Sequence, residues 1–139
     1  MAFTTSTSPT EDIIVAENGA AYSYTCSGNI FAGQGVYIVA TDEVKAPGSC
    51  ADHVYTAACV GVADYDQTDD NKIMIWGPGN IVRVVISGAT HCTLGQVLVM
   101  VSEGKFAHKD KYGTLASGIR AIALETQATA DGAAKVLLY

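Results

Sequence analysis

Short apolar segments separated by glycine constrain this chain more than any other feature of its sequence. In residues 80–139 these segments are four to seven residues long, rich in valine and isoleucine, and bounded by glycine, serine or aspartate. They are 81–87 (IVRVVIS), 97–101 (VLVMV), 105–108 (KFAH), 120–124 (RAIAL) and 134–138 (AKVLL). Segments of this length and composition are typical of β-strands. Several of them at close spacing predict a small closed or sandwiched antiparallel sheet.

The earlier part of the chain continues this pattern. Further strands are predicted over 13–16, 21–26, 36–40, 54–63 and 72–76. The intervening segments 41–53 and 64–71 are rich in charged residues, which predicts a loop and a solvated turn. Segment 119–130 holds good helix formers, so a helix is the alternative there. The chain is therefore predicted to be all-β, a small β-barrel or sandwich-like domain of about ten short strands. No repeat of 20–50 residues stands out.

The amino terminus differs from the rest of the chain. Residues 1–10 are small and hydroxylated, are broken by Pro9, and have little apolar surface to bury. Such a segment is predicted to be a flexible arm, either frayed or lying on a neighbouring chain. The predicted organisation is thus an arm over 1–11 and a single β domain over 12–139.

Composition and charge limit the classes of partner. Apolar residues make up 49% of the 139 residues and charged residues only 16%, which favours a partner or sister subunit covering part of the surface. The net charge of −6 argues against nucleic-acid binding, which needs clustered lysine and arginine. No stretch reaches the roughly 18 apolar residues of a membrane span, and the amino terminus lacks the pattern of a signal peptide. We therefore expect neither a nucleic-acid nor a membrane partner, and synthesis in a cytoplasm.

Cysteine and histidine residues raise the question of a metal site. Cys50 and His53 have the spacing of a zinc-ligand pair, and Cys59 with His91 would complete a set of soft ligands. His91 and Cys92 point to opposite faces of an extended chain, which weakens the second pair. Buried free thiols are the favoured interpretation. The four cysteines are Cys26, Cys50, Cys59 and Cys92. A structural metal on Cys50, His53, Cys59 and His91, or a Cys50–Cys59 disulfide, stays open as an alternative. No cofactor is expected.

No catalytic arrangement is evident in the sequence. The acidic segment 64–71 lacks the central glycine and terminal glutamate of a calcium loop, so an ordinary solvated turn is predicted. His91 and Cys92 are adjacent, whereas catalytic partners usually meet through the fold. The Gly-Pro-Gly segment 77–79 has neither the lysine nor the helix of a phosphate loop. The sequence therefore predicts a protein that is not an enzyme.

An ordered series of strands and glycines runs through the carboxy-terminal two-thirds of the chain. Its parts are Gly61-Val62, Val82–Gly88, Gly95-Gln96-Val97-Leu98, Gly104-Lys105, Ile119–Glu125 and Lys135–Leu138. In this order, over residues 28–139, the chain resembles the head-decoration, or capsid-cement, proteins of tailed viruses. The resemblance implies a compact β-barrel-like domain that clusters, often as trimers, on the outside of a viral head at local symmetry axes.

The resemblance also implies a function. The protein would be a structural virion protein that binds the outer surface of a capsid lattice and stabilises it. Its expected partners are the major capsid protein and further copies of itself, as a homotrimer. Multivalent attachment to a lattice allows each contact to be weak, and the Phe3–Asp12 arm would dock by adding a strand to a neighbouring sheet. The arm residues expected to make contact are Phe3, Thr4, Thr5, Ser6, Thr7 and Pro9.

Two other classes of function stay open. A carbohydrate- or receptor-binding β-module would present exposed aromatic side chains along one groove. Tyr55, Tyr65 and Tyr112 are the candidates for such a groove. A metal-stapled small barrel enzyme would hold zinc through the cysteine and histidine set given above.

Overall fold

The computed structural model describes residues 12–48, 58–87, 92–108, 118–128 and 132–139. These residues form eleven β-strands and one short 3-10 turn, so the all-β prediction is confirmed. The strands are β1 (Ile14–Ala16), β2 (Ala21–Cys26), β3 (Gly35–Ala40), β4 (Glu43–Lys45), β5 (Cys59–Ala63), β6 (Lys72–Trp76), β7 (Ile81–Val85), β8 (Val97–Met100), β9 (Phe106–His108), β10 (Ala121–Ala123) and β11 (Ala133–Leu138). In the part of the chain that the structure describes, no helix is long and apolar enough to cross a membrane.

Most of the predicted strands are present, and the exceptions have local causes. Strands β2 and β6 have the predicted bounds. Residues 121–123 are a strand, so a helix over 119–130 is wrong there. The predicted loop over 41–53 contains strand β4, because a turn at Asp42, whose φ is 59°, folds the chain back on β3. The part of the predicted strand 54–63 that precedes residue 58 lies outside the described residues.

The strands form two sheets of related design. The first is a closed barrel in which β2, β4, β3, β5 and β6 follow one another and β6 pairs with β2. The second has the order β1, β7, β11, β10, β8, β9. Phe106 in β9 also forms a parallel bridge with Ile86, which directly follows β7. The second sheet therefore curls back toward its own beginning.

The two sheets are a structural repeat. Strands β2 to β6 correspond in order and pairing to β7 to β11, with equivalent residues 60 to 62 positions apart. Ile38 lies opposite Val44 in the first sheet, and Met100 lies opposite Phe106 in the second. The parallel pairing of β2 with β4 corresponds to the bridge between Ile86 and Phe106. We call β2–β6 module 1 and β7–β11 module 2.

Hydrogen bonds in the turns support the same correspondence. In module 1 the amide of Phe31 donates to Oε1 of Gln34 at 2.8 Å, and in module 2 the amide of Thr93 donates to Oε1 of Gln96 at 2.7 Å. Other equivalent bonds join Gly33 to Ala63 and Gly95 to Ala123, Ile30 to Gln67 and Cys92 to Gln127, and Ser27 to Val44 and Ser87 to Phe106. Because side-chain and backbone bonds recur at matching positions, the modules share one backbone design.

The two modules share a core. Along β5 and β6 successive side chains point to opposite faces. Ala63 and Ile75 face the small core inside module 1. Val62 and Trp76 belong instead to the larger core of module 2, which also includes Cys59. The outer face of module 1 therefore closes the interior of module 2.

The side chain of Asn80 stabilises the junction between the modules through hydrogen bonds. It is fully buried, and its Oδ1 accepts a hydrogen bond from the amide of Gly19 at 2.9 Å. Its Nδ2 donates to the carbonyl oxygens of Ala20 at 2.6 Å and Gly77 at 3.1 Å. Gly19 lies so close to the carbonyl of Pro78 that a side chain would overlap it. One buried amide thus holds the turn before β2 against the turn between β6 and β7.

A second junction forms at the 3-10 turn Ser102–Gly104. The turn is buried, and the carbonyl of Glu103 accepts a hydrogen bond of 2.8 Å from Nε2 of Gln34 in module 1. The Glu103 carboxylate lies 3.9 Å from the ammonium of Lys105, and both residues are only 7% exposed. Gly104, with a φ of 72°, approaches the backbone of Gly35. The β8–β9 turn is therefore packed directly against module 1.

Candidate interaction surfaces

A row of cross-strand neighbours on the outer face of module 1 makes the contact with module 2. This row, which we call the module 1 row, consists of Ala21, Trp76, Val62 and Gly35, each directly opposite the next. Val62 is fully buried and Trp76 is 4% exposed. The indole Nε1 of Trp76 donates to Oδ1 of Asp64 at 2.9 Å, so the one polar group of this side chain has a partner. Trp76, Val62 and Gly35 are therefore the buried part of the row, and Ala21 at its end is exposed.

Gly35 gives the module 1 row its close approach to module 2. A Cβ at this position would lie 2.8 Å from Sδ of Met100 and 3.2 Å from Cε1 of Phe106. Real Cβ atoms do not approach a sulfur so closely, so a larger residue would push Met100 aside. The absence of a side chain at Gly35 therefore makes room for two large residues of module 2.

The equivalent row on module 2 is partly exposed. This module 2 row consists of Ile81, Leu137, Ile122 and Val97, again directly opposite one another across four strands. All four side chains are apolar and half-buried. Leu94, in the turn just before Val97, is 64% exposed. Directly opposed side chains lie on the same face of a sheet, so the row is a continuous apolar strip.

The open end of module 1 forms a cleft of about 430 Å³. Tyr22 and Tyr24 line one side, with their ring centroids 6.0 Å apart and their planes inclined by 52°. Val60 of the same module and Tyr139 of module 2 also line the cleft, which we call the module 1 cleft. Tyr22 is 43% exposed. Apolar and aromatic side chains at the mouth of a small barrel are a common setting for a binding site.

The corresponding end of module 2 is closed. Val82 and Val84, the equivalents of Tyr22 and Tyr24, are fully buried in the cluster that contains Val62 and Trp76. Met100 is 2% exposed, whereas its equivalent in module 1, Ile38, is 44% exposed. Thus module 2 has a filled end and a half-buried row, while module 1 has a row that is buried at Trp76, Val62 and Gly35 and an end where Tyr22 and Ile38 are exposed. The sequence analysis missed both surfaces.

Segment 64–71 is a solvated turn, as predicted. Two of its aspartates accept hydrogen bonds from backbone amides. Oδ1 of Asp66 accepts from the amide of Ala32 at 2.8 Å, and Oδ1 of Asp69 accepts from the amide of Gly28 at 2.7 Å. These bonds tie the β5–β6 turn to the β2–β3 connection. Among the described residues, no group of three or more His, Cys, Asp or Glu side chains is placed to hold a metal ion.

Cys26, Cys59 and Cys92 are buried free thiols, as predicted. Sγ of Cys59 donates to the carbonyl of Gly61 at 3.6 Å, and burial raises the pKa of this thiol to about 12. Burial also raises the pKa of Cys26 and Cys92. A thiol that stays protonated is a poor nucleophile and metal ligand. Because Cys59 faces the shared core as a free thiol, the Cys50–Cys59 disulfide alternative is wrong.

Several predicted site residues lie outside the described part of the chain. Of the possible metal ligands, Cys50, His53 and His91 are in this group, as are Tyr55 and Tyr112 among the tyrosines. The arm residues Phe3, Thr4, Thr5, Ser6, Thr7 and Pro9 are also outside. Tyr65 is described; it is 41% exposed in the β5–β6 turn. Of the described tyrosines, Tyr22, Tyr24 and Tyr139 line the module 1 cleft.

The fold defines an all-β protein of two barrel-like modules joined through one core. No protein-family model and no curated protein matches the chain. Among solved structures, the chain is similar to the N base of the head fiber gp8.5 of bacteriophage phi29. The TM-score is 0.56 and the sequence identity 15%, and the match covers 86% of this chain and 93% of that chain. The two chains share a fold, which agrees with the resemblance to phage head proteins seen in the sequence.

Proposed function

We propose that this protein is a structural protein of a phage virion that binds the outside of the capsid lattice and stabilises it. The observation that supports the proposal most strongly is the fold shared with the phi29 head fiber base over most of both chains. A surface with few charges and with exposed apolar residues suits attachment to other protein subunits. Repeated attachment along a lattice would make weak individual contacts sufficient.

The proposed role is not enzymatic. The described cysteines have raised pKa values because they are buried, so they are not poised as nucleophiles. The carboxylates of Asp64, Asp66 and Asp69 accept hydrogen bonds from groups that hold the fold together. The chemistry of these groups fits a structural task.

The proposed partners are the major capsid protein and further copies of this chain, as a homotrimer on the outer surface of the virion after synthesis in the host cytoplasm. The arm would add a strand to a neighbouring sheet. Deleting residues 1–11 should lower the number of copies retained per head at limiting protein concentration. Unchanged occupancy would refute this role of the arm.

Co-sedimentation with capsids tests the main proposal. Purified full-length chain would be titrated onto heads that lack it, and the copies bound per head would be counted after pelleting. We expect saturable binding and a higher temperature of genome release from decorated heads. A chain that stays in the supernatant at every concentration would overturn the proposal.

The module 1 cleft supports a second candidate, a carbohydrate-binding module. Tyr22, Tyr24 and Tyr139 offer aromatic surface on which a sugar ring can stack. Saturable binding of a soluble polysaccharide, lost in Tyr24→Ala, would favour this candidate over capsid attachment.

A further inference from the structure

We propose that copies of this chain assemble head to tail, with the module 2 row of one copy seated in the module 1 cleft of the next. The inference deepens the proposed function, because it names the contact between copies. The contact between copies is argued from the structure of the chain. The proposed function supplies only the place where the assembly acts, the capsid surface. Its physical basis is the repeat within the chain.

The contact between the two modules of one chain is heterologous. The module 1 row enters the interior end of module 2, so two different surfaces meet even though the modules share one design. A heterologous contact between two like units always leaves one surface of each kind unused. Here the unused surfaces are the row of module 2 and the open end of module 1.

Both unused surfaces are apolar. In each of them, the residues compared below are more exposed than the equivalent residues of the other module. Tyr22 and Ile38 are 43% and 44% exposed, whereas their equivalents Val82 and Met100 are buried. Ile122 and Leu137 are half-buried, whereas their equivalents Val62 and Trp76 are buried. Covering exposed apolar area of this kind drives association between protein surfaces. A second copy of the chain carries both halves of the contact.

Equivalent positions identify the pair of residues that would meet between copies. Within the chain, Gly35 lies against Met100. Between copies, the equivalent of Gly35 is Val97, and the equivalent of Met100 is Ile38, which is 44% exposed. Two branched apolar side chains would therefore pack against each other at this position of the contact.

Aromatic residues change sides between the two contacts. The module 1 row carries Trp76, which lies in one buried cluster with Val82 and Val84 of module 2. The module 2 row carries Leu137 in place of tryptophan, and the cleft that would receive it carries Tyr22 and Tyr24. The module 2 row thus has a smaller side chain than the module 1 row at this position, and the cleft has larger side chains than the equivalent end of module 2.

A repeated heterologous contact forms a ring if its rotation closes and a filament if it does not. A closed ring suits a protein that occupies discrete sites on a shell. Three copies, the number expected for the proposed homotrimer, would place six modules around such a ring. The ring would alternate between contacts made within a chain and contacts made between chains.

The test measures the mass of the full-length chain by light scattering during gel filtration. We expect the unmodified chain to run as a closed oligomer. Ile122→Lys places a charge in the module 2 row, and Tyr22→Lys places a charge in the module 1 cleft. Each substitution alone should prevent the contact and reduce the mass to that of one chain, 14.5 kDa. Tyr65→Lys is the matched control, because Tyr65 is 41% exposed at the other end of the barrel. It should leave the oligomer intact.

Mixing the two defective variants distinguishes head-to-tail assembly from a symmetric contact. Ile122→Lys retains a cleft and Tyr22→Lys retains a row, so an equimolar mixture should form a species of two chains and go no further. The two lysines repel at the remaining site, which keeps it open. A symmetric contact of row against row would instead let Tyr22→Lys, whose row is intact, form a species of two chains on its own, which would overturn the proposal.

A cross-link covers the case in which a charged variant does not fold. Gly35 lies against Met100, so the equivalent residues Val97 and Ile38 should meet between copies. The double variant Val97→Cys with Ile38→Cys should form covalent multimers under mild oxidation, and either single variant should form none at that pair. A monomeric unmodified chain, or oligomers unaffected by both lysine variants, would overturn the proposal. A monomer that still binds heads would leave the proposed function standing.

Discussion

Trp76 and Leu137 occupy the same position in the two modules, yet only Trp76 is buried. Each side chain lies in the centre of a cross-strand row, opposite Val62 and Ile122 respectively. Trp76 is 4% exposed because module 2 closes over it, whereas Leu137 is half-buried on the outer face of its sheet. The same backbone position is thus part of the core in one module and part of the surface in the other.

This difference predicts unequal effects of truncation. Trp76→Ala should destabilise the chain by about 3–5 kcal/mol, because it removes a large buried side chain and leaves a cavity. Leu137→Ala should cost less than half as much at concentrations where the chain is monomeric. Equilibrium unfolding in urea measures both. Equal losses would contradict the difference in burial between Trp76 and Leu137.

The close approach of Gly35 to Met100 predicts that substitutions at the two positions are coupled. Gly35→Val introduces the residue that module 2 has at this position, and it should destabilise the chain by about 1–3 kcal/mol through overpacking against Met100. Met100→Ala removes the Cγ and Sδ atoms that the new side chain would meet, so it should cost less in the Gly35→Val variant than in the unmodified chain. A double-mutant cycle measures the coupling. Additive losses would show that the two positions are not in contact.

The hydrogen bonds of the buried Asn80 side chain predict a large loss of stability when this side chain is removed. Asn80→Ala leaves the amide of Gly19 and the carbonyls of Ala20 and Gly77 without this partner, and should cost about 2 kcal/mol or more. Asn29→Ala is the control, because Asn29 is exposed and accepts a single bond of 3.1 Å from the amide of Asp69. Its effect should be within about 0.5 kcal/mol. Similar midpoints for the two variants would contradict the account of the junction.

The raised pKa of Cys59 predicts a loss of stability in alkali. Its pKa rises from an ordinary value of 9.0 to about 12 on folding, so the folded chain holds a proton that the unfolded chain releases. Stability from this group is complete below pH 9 and falls between pH 9 and 12, by at most about 1.4 kcal/mol per pH unit. Cys59→Ala should make the decline shallower. Urea unfolding at pH 8, 9 and 10 measures the slope, and identical slopes would contradict the prediction.

Strand positions could be predicted from the sequence because alternation and glycine spacing are local properties. Ala21–Cys26 and Lys72–Trp76 were predicted with the observed bounds for this reason. Strand β4 was missed because Glu43 and Lys45 have the composition of a loop, and only pairing with β3 makes the segment extended. The arm over 1–11 stays a prediction.

The internal repeat was missed because equivalent positions in the two modules have the same strand pairing but carry different amino acids. Tyr22 corresponds to Val82, for example, so direct comparison of the two halves finds few matches. One signal does recur: a Gly-Gln pair precedes the strand in each module, at Gly33-Gln34 and Gly95-Gln96. In both modules the glycine has positive φ and the glutamine accepts a bond from an amide three residues earlier. That pattern marks the repeat in the sequence.

The two surfaces could not be predicted from the sequence for a different reason. The alternation of Tyr22 and Tyr24 shows that they share a face, but it does not show what lies opposite. The full burial of Val62 and the partial burial of Ile122 depend on how one module packs on the other, which is a tertiary property. The surfaces became recognisable only by comparing equivalent positions in the two modules.

Electron cryomicroscopy of heads decorated with the full-length chain tests the central claim most directly. The account predicts density on the outer capsid surface in which barrel-like lobes follow one another in a closed ring, with Ile122 of each copy facing Tyr22 of the next. Heads without added density, or single copies attached with their Ile122 surface against the capsid, would contradict it.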